Sequence, residues 1–131
     1  MKSYAIIFAL IGVLFGCKKE SVGIGSGELE DGIWVEATHR KDTLVFQSFE
    51  NGNLWMTLYR EREDRNGHQG PKIGAGPYDC KFTDGGISLY YTLSSYYHFN
   101  EYSFEHTGTK LRIGDFYEGT GTVKTFVQAN R

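Results

Sequence analysis

From Leu29 onward the chain alternates apolar and polar residues and carries no useful run at helical spacing. The alternation predicts eight short strands, over 33–37, 42–47, 54–60, 77–82, 87–93, 96–104, 110–117 and 122–128. Leu54, Met56 and Leu58 share one face of the third strand. Tyr78, Cys80 and Phe82 share one face of the fourth, and Ile87, Leu89, Tyr91 and Leu93 one face of the fifth. Turn signals separate them at Asn51-Gly52, Asp84-Gly85-Gly86, His106 to Thr109 and Glu118 to Gly121. Residues 61–76 are polar and glycine-rich, fit no element, and read as an unusually long loop.

Short connections make sequential strands pair antiparallel. The expected fold is therefore all-β, an eight-stranded antiparallel up-and-down barrel. Closure favours it because it removes exposed strand edges. The alternative is a flattened β-sandwich with Greek-key connections. The expected inward residues are large: Trp34, Phe46, Met56, Leu58, Tyr78, Phe82, Leu89, Tyr91, Phe104, Phe116 and Phe126. Eight strands enclose just enough space for such side chains. They predict a packed core with at most a shallow pocket at one mouth.

The first residues follow a different pattern. Met1-Lys2-Ser3 is basic, and 4–15 form a twelve-residue apolar run. A bilayer-spanning helix needs about 20 residues, so the run matches the core of a secretory signal instead. It ends in Leu14-Phe15-Gly16-Cys17, which resembles the lipobox of bacterial lipoproteins. The resemblance implies cleavage after Gly16 and a diacylglycerol on the Cys17 thiol. It divides the chain into a signal peptide (1–16), the lipidated Cys and a flexible tether (17–28), and a β domain (29–131). The Gly/Ser-rich tether 18–27 would reach about 17 Å as a coil. Lys18 follows the Cys where some inner-membrane lipoproteins carry Asp. By resemblance to enteric sorting rules, the expected location is the outer membrane, facing the periplasm or the cell surface.

Composition narrows the function classes. The 131 residues carry 14 basic and 16 acidic side chains, which excludes the basic stripe of a nucleic-acid binder. Nine Tyr, nine Phe and two Trp exclude a disordered chain. With Cys17 acylated, Cys80 has no intrachain partner and reads as a buried thiol.

Gly32-x-Trp34 at the start of the first strand resembles the lipocalin signature. In that family the Trp plugs the closed end of the barrel and a late basic residue stacks over it, here Arg112 or Lys124. The span from Gly32 to Phe126 is similar to small lipocalin-like lipoproteins of Gram-negative bacteria. It shares the Asp42-Thr43-Leu44-Val45-Phe46, Pro71-Lys72-Ile73-Gly74 to Tyr78, Ile87-Ser88-Leu89 and Arg112-Ile113-Gly114-Asp115-Phe116-Tyr117 pieces. The Thr-Asp-Tyr motif of true lipocalins is absent and the domain is shorter, which argues against a deep cavity.

Candidate chemistry is sparse. His39, His68, His98 and His106 have no metal-ligand spacing and read as solvent-facing. No nucleophile elbow, phosphate loop or dinucleotide fingerprint occurs. Asp42 and Asp115 are expected to serve turns or pair with lysines. The run Arg60 to Arg65 alternates in sign and nearly cancels, as a wet loop or a rim for a protein partner would. No catalytic residue, metal or cofactor is expected. The candidate binding residues are Trp34, Tyr78, Tyr90, Tyr97, Phe99 and Tyr102, with Tyr90, Tyr97 and Phe99 placed on an outer or rim patch. The expected function is binding of a small apolar or amphipathic ligand at the barrel mouth. The alternative is an envelope scaffold or accessory lipoprotein that binds another protein and has a packed core.

Overall fold

The computed structural model describes Leu29 and residues 32–129, so the expected signal peptide, Cys17 and its tether lie outside the described residues. The elements are β1 (Ile33–Glu36), β2 (Thr43–Ser48), β3 (Leu54–Tyr59), β4 (Arg62–Arg65), β5 (His68–Pro71), β6 (Gly76–Thr83), β7 (Gly86–Tyr91), β8 (Asn100–Tyr102), β9 (Phe104–Thr107), β10 (Lys110–Gly114) and β11 (Val123–Gln128). Nine of them form one antiparallel sheet in the order β8-β7-β6-β3-β2-β1-β11-β10-β9, rolled into a nearly closed barrel. Pairing is between chain neighbours throughout, except that β4 and β5 interrupt β3 and β6, and β1 pairs with β11. No Greek-key crossover is present among these strands.

The strand count is nine rather than eight because the expected sixth strand is displaced and divided. Residues 96–99 are not strand, and 100–107 breaks at Ser103. Before the break, Asn100 and Tyr102 pair with Leu89 and Ile87 of β7. After it, Phe104 and His106 pair with Ile113 and Leu111 of β10. The two ends of the sheet are thus joined through one residue, and Gly114 N donates to Ser103 O at 3.0 Å across the join. Gly86 lies so close that a Cβ there would run into the Tyr102 carbonyl oxygen.

Two further expectations are corrected. The segment read as a loop contains the β4–β5 hairpin, registered Arg62↔Pro71 to Arg65↔His68. Its turn is Asn66-Gly67, with φ of 56° and 81°, the backbone of a two-residue I′ turn. The hairpin has no apolar face, so alternation gave no signal, while Asp64 Oδ1 accepting from Gly67 N at 2.8 Å closes it. The fifth strand stops at Tyr91, and Leu93, expected inside, is 69% exposed.

The core otherwise follows the alternation. All eleven residues expected to point inward are buried or packed against the buried cluster, joined by Leu29, Leu44, Leu54, Cys80, Ile87, Leu111 and Ile113. One inward row, Phe46–Met56–Tyr78–Tyr91, crosses four strands. Gly76 in the next row leaves space for Tyr91, whose ring carbon would lie 2.9 Å from a Cβ there.

Candidate functional site

The barrel ends in a polar and aromatic mouth built from four segments distant in sequence. Asp42, just before β2, and Arg60, just after β3, form an ion pair at 3.3 Å with side chains 10% and 13% exposed. The Arg60 guanidinium lies over the Tyr117 ring, 4.4 Å from its centroid. Tyr117 Oη donates to the other Asp42 oxygen at 2.7 Å. Glu118 accepts from Arg60 at 3.3 Å and forms an ion pair with Lys124 at 3.4 Å. A buried carboxylate and guanidinium are tolerated only when their remaining polar atoms are also satisfied, and this network does so.

Asp42, expected to serve a turn or pair with a lysine, pairs with Arg60 instead. Asp115 does serve its turn: it adopts φ of 55° and accepts from Gly121 N. That left-handed residue ends β10 and turns the chain so that Phe116 folds back into the core, 2% exposed.

Over the mouth lies the turn 72–75, closed by Ala75 N donating to Lys72 O at 3.1 Å. Gly74 at its third position has φ of 84°, as a type II turn requires. Three barrel side chains grip three successive carbonyls of this turn. Arg60 Nη1 donates to Ile73 O at 2.6 Å, Tyr78 Oη to Gly74 O at 2.6 Å, and Tyr91 Oη to Ala75 O at 2.9 Å. Beneath the turn is an open cleft of about 300 Å³ lined by Ile73, Tyr78, Tyr91, Asn100, Tyr102, Phe116 and Tyr117, among others. Tyr78 and Tyr91 pack at 5.1 Å between centroids, and Phe116 meets Tyr78 and Tyr102 edge-on at 5.4 Å each. The cleft floor is thus an interlocked aromatic set with few polar atoms free to move.

Burial raises the Tyr78 phenol above its ordinary value, and the neighbouring Tyr91 and Tyr102 add to the shift. Burial raises Tyr117 as well, reinforced by its hydrogen bond to Asp42. Burial alone raises Tyr102. All three are neutral at physiological pH.

The six candidate residues fall into three places. Tyr78 and Tyr102 line the cleft. Trp34 does not; it is 1% exposed, and its indole N–H, which faces Gly32, has no hydrogen-bond partner among the described residues. Its ring meets His106 edge-on at 5.5 Å. Neither expected cation stacks on it: Arg112 pairs with Glu105 at 3.1 Å, and Lys124 sits by Tyr117 and Glu118. His106 is accordingly a half-buried packing residue and not solvent-facing, whereas His39, His68 and His98 are exposed. Tyr90, Tyr97 and Phe99 form one outer cluster, with centroids 4.6 to 5.7 Å apart.

Sequence reasoning missed Arg60, Tyr117 and the 72–75 turn. In the sequence Arg60 belongs to a charged run, and only the fold shows that its partners lie elsewhere. The Gly74 position and the aromatic Phe116-Tyr117 pair were the available signals. A second buried acid, Glu36, accepts from the backbone N–H of Thr38, His39 and Arg40 at 2.8, 2.6 and 3.3 Å and holds the loop beside the mouth. Among the described residues no cluster of His, Cys, Asp and Glu suits a metal. No helix of the described residues is long and apolar enough to cross a membrane. Compared with protein-family models, with curated proteins and with solved structures, the chain shows no significant match to any of them.

Proposed function

We propose that this protein is a membrane-anchored lipoprotein whose lipocalin-like barrel binds a small apolar or amphipathic molecule at its mouth. The observation that carries the reading is the open aromatic cleft of about 300 Å³ above a filled barrel interior. A filled interior leaves no room for a deep guest, so the ligand sits across the mouth against Tyr78, Tyr91, Tyr102 and Phe116. The neutral phenols and the internally paired Arg60 favour an uncharged contact surface. Counting β8 and β9 as one strand bent at Ser103 gives the eight staves of a lipocalin-like up-and-down barrel. In this reading Cys17 carries the lipid, the tether keeps the domain near the outer membrane, and the chain needs no cofactor and performs no reaction.

Native mass spectrometry of the full-length protein, purified from its host's membranes in a neutral detergent, tests this. The expected result is a diacylated N-terminus at Cys17 and a retained small mass released on denaturation. An unmodified Cys17 would overturn the anchor, and a bare domain that also fails to take up hydrophobic probes would overturn the ligand reading.

A second reading, an envelope lipoprotein that binds another protein, draws on one further observation. Leu93, Tyr96 and Tyr97, in the segment after β7, are 69%, 72% and 69% exposed. Crosslinking in intact cells that captures one partner through this segment, with the cleft empty, would favour it.

A further inference from the structure

The outer face of the barrel carries an arrangement independent of the mouth. Residues directly opposite each other in an antiparallel ladder project to the same face. Trp55 pairs with Asp79 across β3 and β6, and Asp79 pairs with Tyr90 across β6 and β7. Their chain neighbours Leu54, Met56, Tyr78, Cys80 and Leu89 are buried in the core, so this row faces outward. Asp79 therefore lies midway between an indole and a phenol, one strand spacing from each. Two strand spacings separate the rings' backbones by about 10 Å.

Both ends of the row are braced. Phe49 packs against Trp55 at 5.4 Å, and Tyr97 and Phe99 pack against Tyr90 at 4.6 and 5.7 Å. Asp79 has no hydrogen bond or ion pair among the described residues. Lys81, the next outward residue on β6, does not turn to it: its ammonium sits 4.2 Å above the Phe99 ring. The face thus already holds one ammonium on an aromatic ring, while Asp79, beside two more rings, has no direct ion-pair partner among the described residues.

Ring faces attract cations within about 6 Å of their centroids, and residues directly opposite in a ladder stand about 5 Å apart, so a cation paired with Asp79 lies beside both Trp55 and Tyr90. A primary ammonium is a compact, strongly hydrated charge that must give up water to sit on the rings. Between the two rings the row supplies one carboxylate. A quaternary ammonium needs no acceptors, spreads its charge over methyl groups, and fits both the rings and the carboxylate. We infer that the outward Trp55–Asp79–Tyr90 row is a binding site for a small quaternary ammonium ion. The site is separate from the cleft, and either reading can fail without the other.

The test is a titration of the full-length protein, in a neutral glycoside detergent, with choline chloride against sodium chloride and a neutral methyl glucoside. The indole N–H resonances of Trp34 and Trp55 are followed by NMR and assigned with Trp55→Phe. The expected result is a saturable shift of Trp55 with choline alone, with buried Trp34 unmoved. Asp79→Asn, of equal size on an outer face, weakens binding at least about tenfold while leaving the Trp34 resonance in place. Tyr90→Leu weakens it similarly, and Tyr102→Phe in the cleft does not. A response that sodium chloride or the glucoside reproduces, or equal binding by Asp79→Asn, overturns the inference.

Discussion

Tyr117 donates its hydroxyl proton to Asp42 at 2.7 Å, although 75 positions separate the two residues. The bond ties the loop after β10 to the loop before β2, and both to Arg60 at the end of β3. The mouth is therefore a closed polar network across the barrel, not a set of independent loops.

Removing one member has a graded cost. Tyr117→Phe keeps the ring under Arg60 and loses one hydrogen bond to a charged acceptor, about 1.5–3 kcal/mol. Asp42→Ala leaves Arg60 with Glu118 as its one carboxylate partner among the described residues and costs more, roughly 3–5 kcal/mol. Urea denaturation of the two variants gives this order, and equal losses would show that the network is not coupled through Arg60.

The grip on the turn 72–75 predicts a local effect. Tyr91→Phe and Tyr78→Phe each free one carbonyl and cost about 1 kcal/mol. Hydrogen exchange at the Ala75 amide rises in both, because its bond to Lys72 O is held only by a turn that has lost an anchor. Exchange at β2 and β3 stays unchanged.

Stability falls at high pH. The folded chain holds the phenolic protons of Tyr78, Tyr102 and Tyr117 more tightly than the unfolded chain, where the ordinary value is 10.0. Their contribution is complete below that value and is lost as pH climbs above it. Cys80 behaves likewise, its thiol pushed by burial from 9.0 to about 12. It should resist thiol reagents in the native protein at mildly alkaline pH and react only in denaturant.

At low pH the sign reverses for Glu36. Burial alone would raise its pKa, but the backbone donors His39, Thr38 and Arg40 outweigh burial and hold it below 4.5. Its contribution is full above that value and disappears as pH falls through the lowered one. Glu36→Gln should cost about 1–3 kcal/mol at neutral pH and flatten the acid limb of thermal stability against pH.

Two adjacent glycines separate backbone space from turn composition. Gly86→Ala drives a methyl into the Tyr102 carbonyl at the β8–β9 join and should cost about 3 kcal/mol or prevent folding. At Gly85 nothing lies within 4 Å of the added carbon, so Gly85→Ala should be neutral or slightly stabilising. Comparable losses from both would argue against the join.

What the sequence determined by itself is what alternation encodes. Wherever one face of a strand is buried, a period of two is written in the residues, and Leu54, Met56, Leu58, Tyr78, Cys80 and Leu89 could be placed inside before any fold was known. The same rule put Tyr90 outside on β7; Tyr97 and Phe99 cluster with it there although 96–99 is not strand. Elements without a buried face left no such mark. The β4–β5 hairpin is polar on both sides, and the division at Ser103 arises from which neighbours the two halves find. Leu93 looked like one more inward residue because periodicity does not say where a strand stops.

Only the tertiary structure decided the partners of Asp42, Arg60, Tyr117 and Trp34. Barrel closure sets these pairings by bringing strand ends together from distant parts of the chain, and a local pattern holds no information about separations of 75 residues. It likewise set Asp79 between Trp55 and Tyr90, because cross-strand register depends on how whole strands align and not on any one segment.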